Sequence, residues 1–109
     1  MTRWKIRRDR HKPLTFTGKL LGEVSTRHKR ERWTELRIYQ TSLSTLDGDA
    51  VETEGSYTPS AGAYVCEQVG RSNADGEIDR CKAWPCRTID EIKEALGDGP
   101  LAQQLYLEA

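Results

Sequence analysis

The sequence predicts an α+β domain in which an antiparallel sheet of four to five strands is covered on one face by two short C-terminal helices. Segments of two-residue hydrophobic alternation occur between residues 14 and 84, and helical spacing of apolar residues begins after residue 88. Strands first and helices last are typical of a sheet with helices on one side. The 109 residues fit one domain, 1–109.

The first predicted strand covers residues 14–24 and alternates with period two, which is typical of a half-buried antiparallel strand. One face is predicted to hold Leu14, Phe16, Gly18, Leu20, Gly22 and Val24. The two glycines on that face indicate a bulge or a close approach by another segment.

The second predicted strand covers residues 33–41, with Leu36 and Ile38 on one face and Trp33 and Tyr39 on the other. The charged residues 26–32 before it fit the tip of a hairpin. Residues 42–62 are acidic and rich in Ser, Thr and Gly, so we expect a long loop, functional or mobile. The alternative is an extended hairpin that turns at Asp47-Gly48.

Two further strands are predicted at residues 63–72 and 77–84, joined by a turn at 73–76. Pro85 cannot donate a ladder hydrogen bond, so the last strand should end there or lie at an edge. Residues 4–7 are a candidate additional edge strand.

The chain then predicts two helices. Thr88 and Glu91 match a capping box, and Gly97 is suited to end the first helix. Pro100 is suited to the first turn of the second. The predicted core consists of Leu14, Phe16, Leu20, Val24, Leu36, Ile38, Val65, Val69, Ile89, Ile92, Leu96, Leu101 and Leu105.

Composition limits the classes of function. No run of 18 apolar residues is present, and no apolar stretch follows the basic start, so we expect neither a membrane span nor a secretory signal. An odd number of cysteines, three, is typical of reduced thiols in a cytoplasmic protein.

Charge is strongly segregated although the formal net charge is zero. Residues 1–37 contain twelve Lys and Arg against four Asp and Glu, and the remainder contains five against thirteen. Either the two parts neutralise each other in the fold or a basic surface meets an anionic partner.

The candidate partner-binding residues come from both charge classes. Cations that flank Trp4 and Trp33 could contact phosphate, and interleaved aromatic rings add stacking. On a strand, however, Trp4 faces away from Lys5 and Arg7, and charged hairpin tips and termini are often merely solvated. The acidic residues could be a solvated face or could mimic nucleic acid. The set is Arg7, Arg8, Arg10, Arg27, Lys29, Arg30, Arg32, Trp33, Asp47, Asp49, Glu52 and Glu54.

We expect no catalytic, cofactor or metal site. Zinc needs four ligands, usually from paired short motifs, and the single loose pair Cys81 and Cys86 would face opposite sides of a strand. Buried inert thiols are favoured over a metal, disulfide or redox role, in which Cys66 would have to converge with that pair. His11 and His28 lie among cations, which suits exposure better than acid–base work, so the protein is expected not to be an enzyme.

Three stretches, 16–23, 32–41 and 69–72, together resemble short uncharacterised accessory proteins of bacteria, phages and plasmids. The resemblance implies no known activity. A mobile-element setting favours small proteins that bind host machinery, including anti-defence inhibitors of the anti-CRISPR kind.

These observations lead to two functional expectations. The first is a non-enzymatic protein that docks on a nucleic-acid-handling complex and modulates or inhibits it. The alternative is direct nucleic-acid binding through the basic N-terminal segment and the hairpin tip.

Overall fold

The computed structural model describes residues 2–26, 32–41, 51–59, 63–72 and 78–108. Its strands and helices confirm the α+β class, with an antiparallel sheet followed by two C-terminal helices. They are β1 (Thr2–Ile6), β2 (Leu14–Ser25), β3 (Arg32–Thr41), β4 (Val51–Glu52), β5 (Tyr57–Thr58), β6 (Tyr64–Ser72), β7 (Arg80–Cys86), α1 (Ile89–Leu96) and α2 (Pro100–Glu108). Neither of these helices is long and apolar enough to cross a membrane.

Five long strands form the sheet in the order β1-β2-β3-β6-β7, and every neighbouring pair is antiparallel. The two-residue strands are an addition that alternation could not reveal. β5 pairs in parallel with the start of β2, where Tyr57 lies opposite Leu14, and β4 pairs with β5.

The expectation of a long structureless loop is wrong for part of residues 42–62. Residues 51–58 form a small hairpin whose turn is closed by a 2.9 Å bond from the Thr53 amide to the Ser56 carbonyl oxygen. This hairpin turns at 53–56; the predicted turn at Asp47-Gly48 lies outside the described residues. Residues 42–50 and 60–62 lie outside the described chain, as do most of the predicted hairpin tip and the turn at 73–76.

A bulge in β2 overturns the prediction that alternate residues from 14 to 24 share one face. The pairing with β3 shifts between Leu20 and Gly22, so one extra residue reverses the orientation of the side chains beyond it. Leu14 and Phe16 pack on one side of the sheet and Val24 on the other. Leu20, next to the shift, is 39% exposed and does not belong to the core.

Both helices cover one face of the sheet, as predicted. Ile92 of α1 and Leu105 of α2 are buried against it. The sheet residues beneath the helices are Val24, Leu36, Ile38, Cys66 and Cys86. Burying a side chain such as Leu105 contributes about 1.5–3 kcal/mol, so this layer is a main source of stability.

The opposite face is also buried, because the sheet curls upon itself. A second core cluster draws at least one side chain from each of the five long strands: Ile6, Leu14, Phe16, Tyr39, Val65 and Ala83. Side chains from both outer strands can meet only if the sheet is strongly curved. The fold therefore has two cores, one under the helices and one in the concavity.

The first helix begins and ends as the sequence predicts. The Thr88 hydroxyl accepts a 3.2 Å hydrogen bond from the Glu91 amide, and Gly97 ends α1 at a φ of 80°. A second core assignment, after that of Leu20, is wrong: Ile89, the first residue of the helix, is 58% exposed. Leu96 and Leu101 are only partly buried.

The last strand begins at Arg80 and continues through Pro85 to Cys86. The alternative in which Pro85 lies at an edge is the correct one, since β7 pairs only with β6 among the described strands. A missing backbone N–H costs nothing on the unpaired side of an edge strand.

Candidate functional site

Two hydrogen bonds close the curled sheet where the segment after β1 meets the start of β7. The Asp9 amide donates to the Cys81 carbonyl oxygen at 2.9 Å, and the Cys81 amide donates to Asp9 Oδ2 at 2.9 Å. The N-terminal segment is thereby joined to the opposite outer strand of the sheet.

This junction gathers basic residues from distant parts of the sequence. Arg7, Arg8 and Arg10 surround Asp9, while Arg80 and Lys82 flank Cys81. We call these five residues the basic seam. All of them are exposed except Arg8, which is half-buried and donates from Nε to the Lys12 carbonyl oxygen at 2.7 Å. Sequence reasoning missed Arg80 and Lys82 because they lie in the acidic part of the chain.

Acidic side chains at the seam are engaged in other contacts. The Asp9 carboxylate accepts from Cys81, and its second oxygen lies 3.8 Å from Arg7 Nη2. Asp79 accepts from Arg71 Nη1 at 2.9 Å. Among the described residues at the seam, these two acids stand against five cations, so the described seam is basic.

A cleft of about 670 Å³ opens beside the seam. Asp9 and Arg80 line it, so it shares a border with the basic seam. Its other walls include Arg32, Trp33 and Ile78. Of the predicted hairpin-tip residues, Arg32 and Trp33 therefore lie at this cleft; Arg27, Lys29 and Arg30 lie outside the described chain.

A cluster of ionised side chains contacts two residues of the cleft lining, Trp33 and Arg71. Glu35, 6% exposed, accepts from Arg37, from Arg71 Nε at 2.8 Å and from Trp33 Nε1 at 2.9 Å. The Trp33 indole is thus held by a carboxylate that two guanidinium groups hold in turn. Buried ions are tolerated only when they are paired in this way.

Arg37 connects Glu35 to two further carboxylates, those of Glu23 and Glu67. Its guanidinium contacts Glu23 through Nε and lies 3.3 Å from Glu67 Oε1 through Nη1. Tyr39 donates to the same Glu67 oxygen at 2.8 Å. The Arg37–Glu67 pair also joins the basic and acidic parts of the chain, so the two parts partly neutralise each other in the fold.

Three pKa values follow from these contacts. Burial alone would raise the pKa of Glu35, but the hydrogen bonds from Trp33, Arg71 and Arg37 outweigh it and lower the pKa to about 2. Burial would lower the pKa of Arg37, and its carboxylate partners raise it instead. Burial and the charge of Glu67 raise the pKa of Tyr39. Glu35 and Arg37 are therefore charged at neutral pH, and Tyr39 is protonated.

Of the four predicted acidic contact residues, two lie in the described part of the chain. Glu54 is exposed in the turn between β4 and β5, and Glu52 lies in β4. Asp47 and Asp49 lie outside the described residues.

Two of the three cysteines converge. Cys66 and Cys86 are buried under the helices with their Sγ atoms 3.6 Å apart, whereas Cys81 lies beside Asp9 on the other face of the sheet. Burial raises the pKa of all three thiols. They are thus protonated at neutral pH, which makes them poor nucleophiles. Among the described residues, no three His, Cys, Asp or Glu side chains are arranged to hold a metal ion.

No protein-family model matches the chain, and no curated protein or solved structure is similar to it.

Proposed function

We propose that this protein is a non-enzymatic binding protein that contacts the phosphate backbone of nucleic acid through the basic seam. The observation that supports it is the paired hydrogen bonding of Asp9 with Cys81. That contact brings three cations of the N-terminal segment beside two from β7.

Phosphate binding depends on several cations on one accessible surface, because each contact releases counterions from the nucleic acid. Arg7 is 69% exposed at its side chain and its ion pair with Asp9 is long, so its guanidinium is accessible to a ligand. Arginine adds paired hydrogen bonds to phosphate oxygens. Such a protein would act on nucleic acid or on a complex that handles it.

The proposal is tested by the anisotropy of fluorescently labelled duplex and single-stranded oligonucleotides at low and physiological salt. We expect affinity to fall steeply with salt, with the log–log slope weakening by about 2 in the double variant Arg7→Ala/Arg80→Ala. The matched control is Lys19→Ala/Arg87→Ala, which also removes two exposed cations. Lys19 lies beside the start of β1 and Arg87 follows the end of β7, so both are at the strand ends away from the contact of Asp9 with Cys81. Absence of binding at low salt, or equal losses in both double variants, contradicts the proposal.

A second candidate function is docking on the protein component of a nucleic-acid-handling complex, to modulate or inhibit it. Its candidate contacts are two exposed apolar side chains on the helices: Ile89, and Leu107, which is 88% exposed. The double variant Ile89→Glu/Leu107→Glu should then lose co-purifying proteins that the unaltered chain retains. Its oligonucleotide affinity should stay unchanged.

A further inference from the structure

The cleft beside the basic seam combines the features that a nucleobase needs. It offers an aromatic ring, Trp33, and an apolar side chain, Ile78, which is 78% exposed. Its volume of about 670 Å³ lies within the usual range of about 300–1,000 Å³ for small-ligand sites. A base bound there would be partly withdrawn from water.

Trp33 is held in position before any ligand arrives. Its Nε1 donates to Glu35 at 2.9 Å, and Arg71 holds the same carboxylate oxygen at 2.8 Å. Because the low pKa of Glu35 keeps this carboxylate charged at neutral pH, the indole contact persists there. A pre-ordered ring loses little conformational entropy when a base stacks on it.

The cation that links the cleft to a phosphate chain is Arg80, which lines the cleft and belongs also to the basic seam. Asp9, Asp79 and Arg71 line the cleft as well, but Arg71 is paired with Glu35 and Asp79, and Asp9 accepts from the Cys81 amide. A phosphate chain along the seam would thus pass the opening of the cleft. This relationship in space distinguishes the cleft from an isolated apolar groove.

We propose that the cleft takes one unstacked base of a single-stranded nucleic acid whose backbone lies along the basic seam. The inference rests on the proposed function and narrows it from nucleic acid in general to single strands. In a duplex the bases are stacked and paired, so none can enter a cleft without being flipped out. In a single strand every base has a face free for stacking.

The test compares three ligands with the folded full-length chain: a labelled single-stranded oligonucleotide, an abasic strand of the same length and charge, and a mononucleotide. We expect the base-bearing strand to bind about 5- to 150-fold more tightly than the abasic strand, the range that stacking of one base supplies. Trp33→Leu should abolish this difference without changing the salt slope. Trp33→Phe should retain most of it, because the ring remains.

A second variant tests the same prediction in case Trp33→Leu does not fold. Ile78→Glu alters an exposed side chain at the cleft and should also abolish preference for the base-bearing strand; its matched control is Leu107→Glu, an exposed apolar residue on α2. Equal affinity for base-bearing and abasic strands would overturn the inference. So would mononucleotide binding as tight as that of the strand. If both strands bind equally in a salt-dependent way that Arg7→Ala/Arg80→Ala weakens, the proposed function stands while this inference fails.

Discussion

Asp9 and Cys81 are 72 residues apart in sequence, yet they exchange two hydrogen bonds that join the segment after β1 to β7. One bond uses the Asp9 backbone and the other its carboxylate. The contact holds the curled sheet together at its open side and also assembles the basic seam. Stability and the proposed binding surface therefore depend on the same residue.

Replacing the Asp9 carboxylate should destabilise the fold. Asp9→Ala leaves the Cys81 amide without its acceptor, which should lower the free energy of unfolding by about 1–3 kcal/mol. Asp9→Asn keeps an acceptor oxygen and should lose less. Urea unfolding measures the difference, with Glu94→Ala on the exposed side of α1 as a control expected within about 0.5 kcal/mol of the parent. Equal stability of the alanine variant and the parent would contradict the role given to Asp9.

Replacing Glu35 should lower the free energy of unfolding more than replacing Glu23, another acidic residue of the ion cluster. Glu35→Gln removes the charge that faces Arg37 and Arg71 and should destabilise by about 3–5 kcal/mol, as expected when a buried ion loses its partner. Glu23→Gln is the matched control. Glu23 contacts the same guanidinium but is 49% exposed, so its loss should cost less than about 1 kcal/mol. Chemical denaturation measures the free energy of unfolding of both variants. If both lose similar amounts of it, the burial of Glu35 is not what makes its ion pairs stabilising.

Acid should weaken the fold in a defined pH range. The pKa of Glu35 falls from 4.5 to about 2 on folding, so the unfolded chain binds more protons between these values. Its stabilising contribution is present above pH 4.5 and is lost as pH falls towards 2, by up to about 3 kcal/mol. Unfolding midpoints measured from pH 6 to pH 2 should show this fall, and Glu35→Gln should flatten it. An unchanged acid profile in that variant would assign the effect to other carboxyl groups.

Gly18 should not tolerate a side chain. A Cβ atom there would lie 2.1 Å from the carbonyl oxygen of Gln40, a backbone atom of the paired strand β3 that cannot easily move aside. Gly18→Ala should therefore destabilise by at least about 1–3 kcal/mol, as overpacking does. Gly55→Ala is the control, since nothing lies within 4 Å of its added Cβ. Thermal unfolding of the two variants measures the contrast, and equal midpoints would contradict the close approach.

Much of the fold could be predicted from local pattern. Thr88, Glu91 and Gly97 determine where α1 begins and ends through hydrogen bonds between near neighbours and one positive φ. The glycines of β2 indicated a bulge or close approach, and both occur. Their consequence for the core could not be predicted, because locating the extra residue requires the partner strand.

The candidate site was only partly predictable. Arg7, Arg8 and Arg10 form a local cluster of charge that the sequence shows directly, but Arg80 and Lys82 join them only through the contact between Asp9 and Cys81. Trp33 was recognised as an aromatic beside cations. Its fixation by Glu35 could not be foreseen, because alternation alone does not show that a charged residue on a strand is buried.

The sequence by itself determined the class of fold, the order of its strands and helices, and the ends of α1, because hydrophobic periodicity and capping act over a few residues. Only the tertiary structure decided the curl of the sheet, the reversal at Leu21, the burial of Glu35 between two arginines, and the contact of Asp9 with Cys81 that brings cations of two distant segments together. These features depend on contacts between segments far apart in the chain. Their geometry is determined by packing against partner strands rather than by the local sequence.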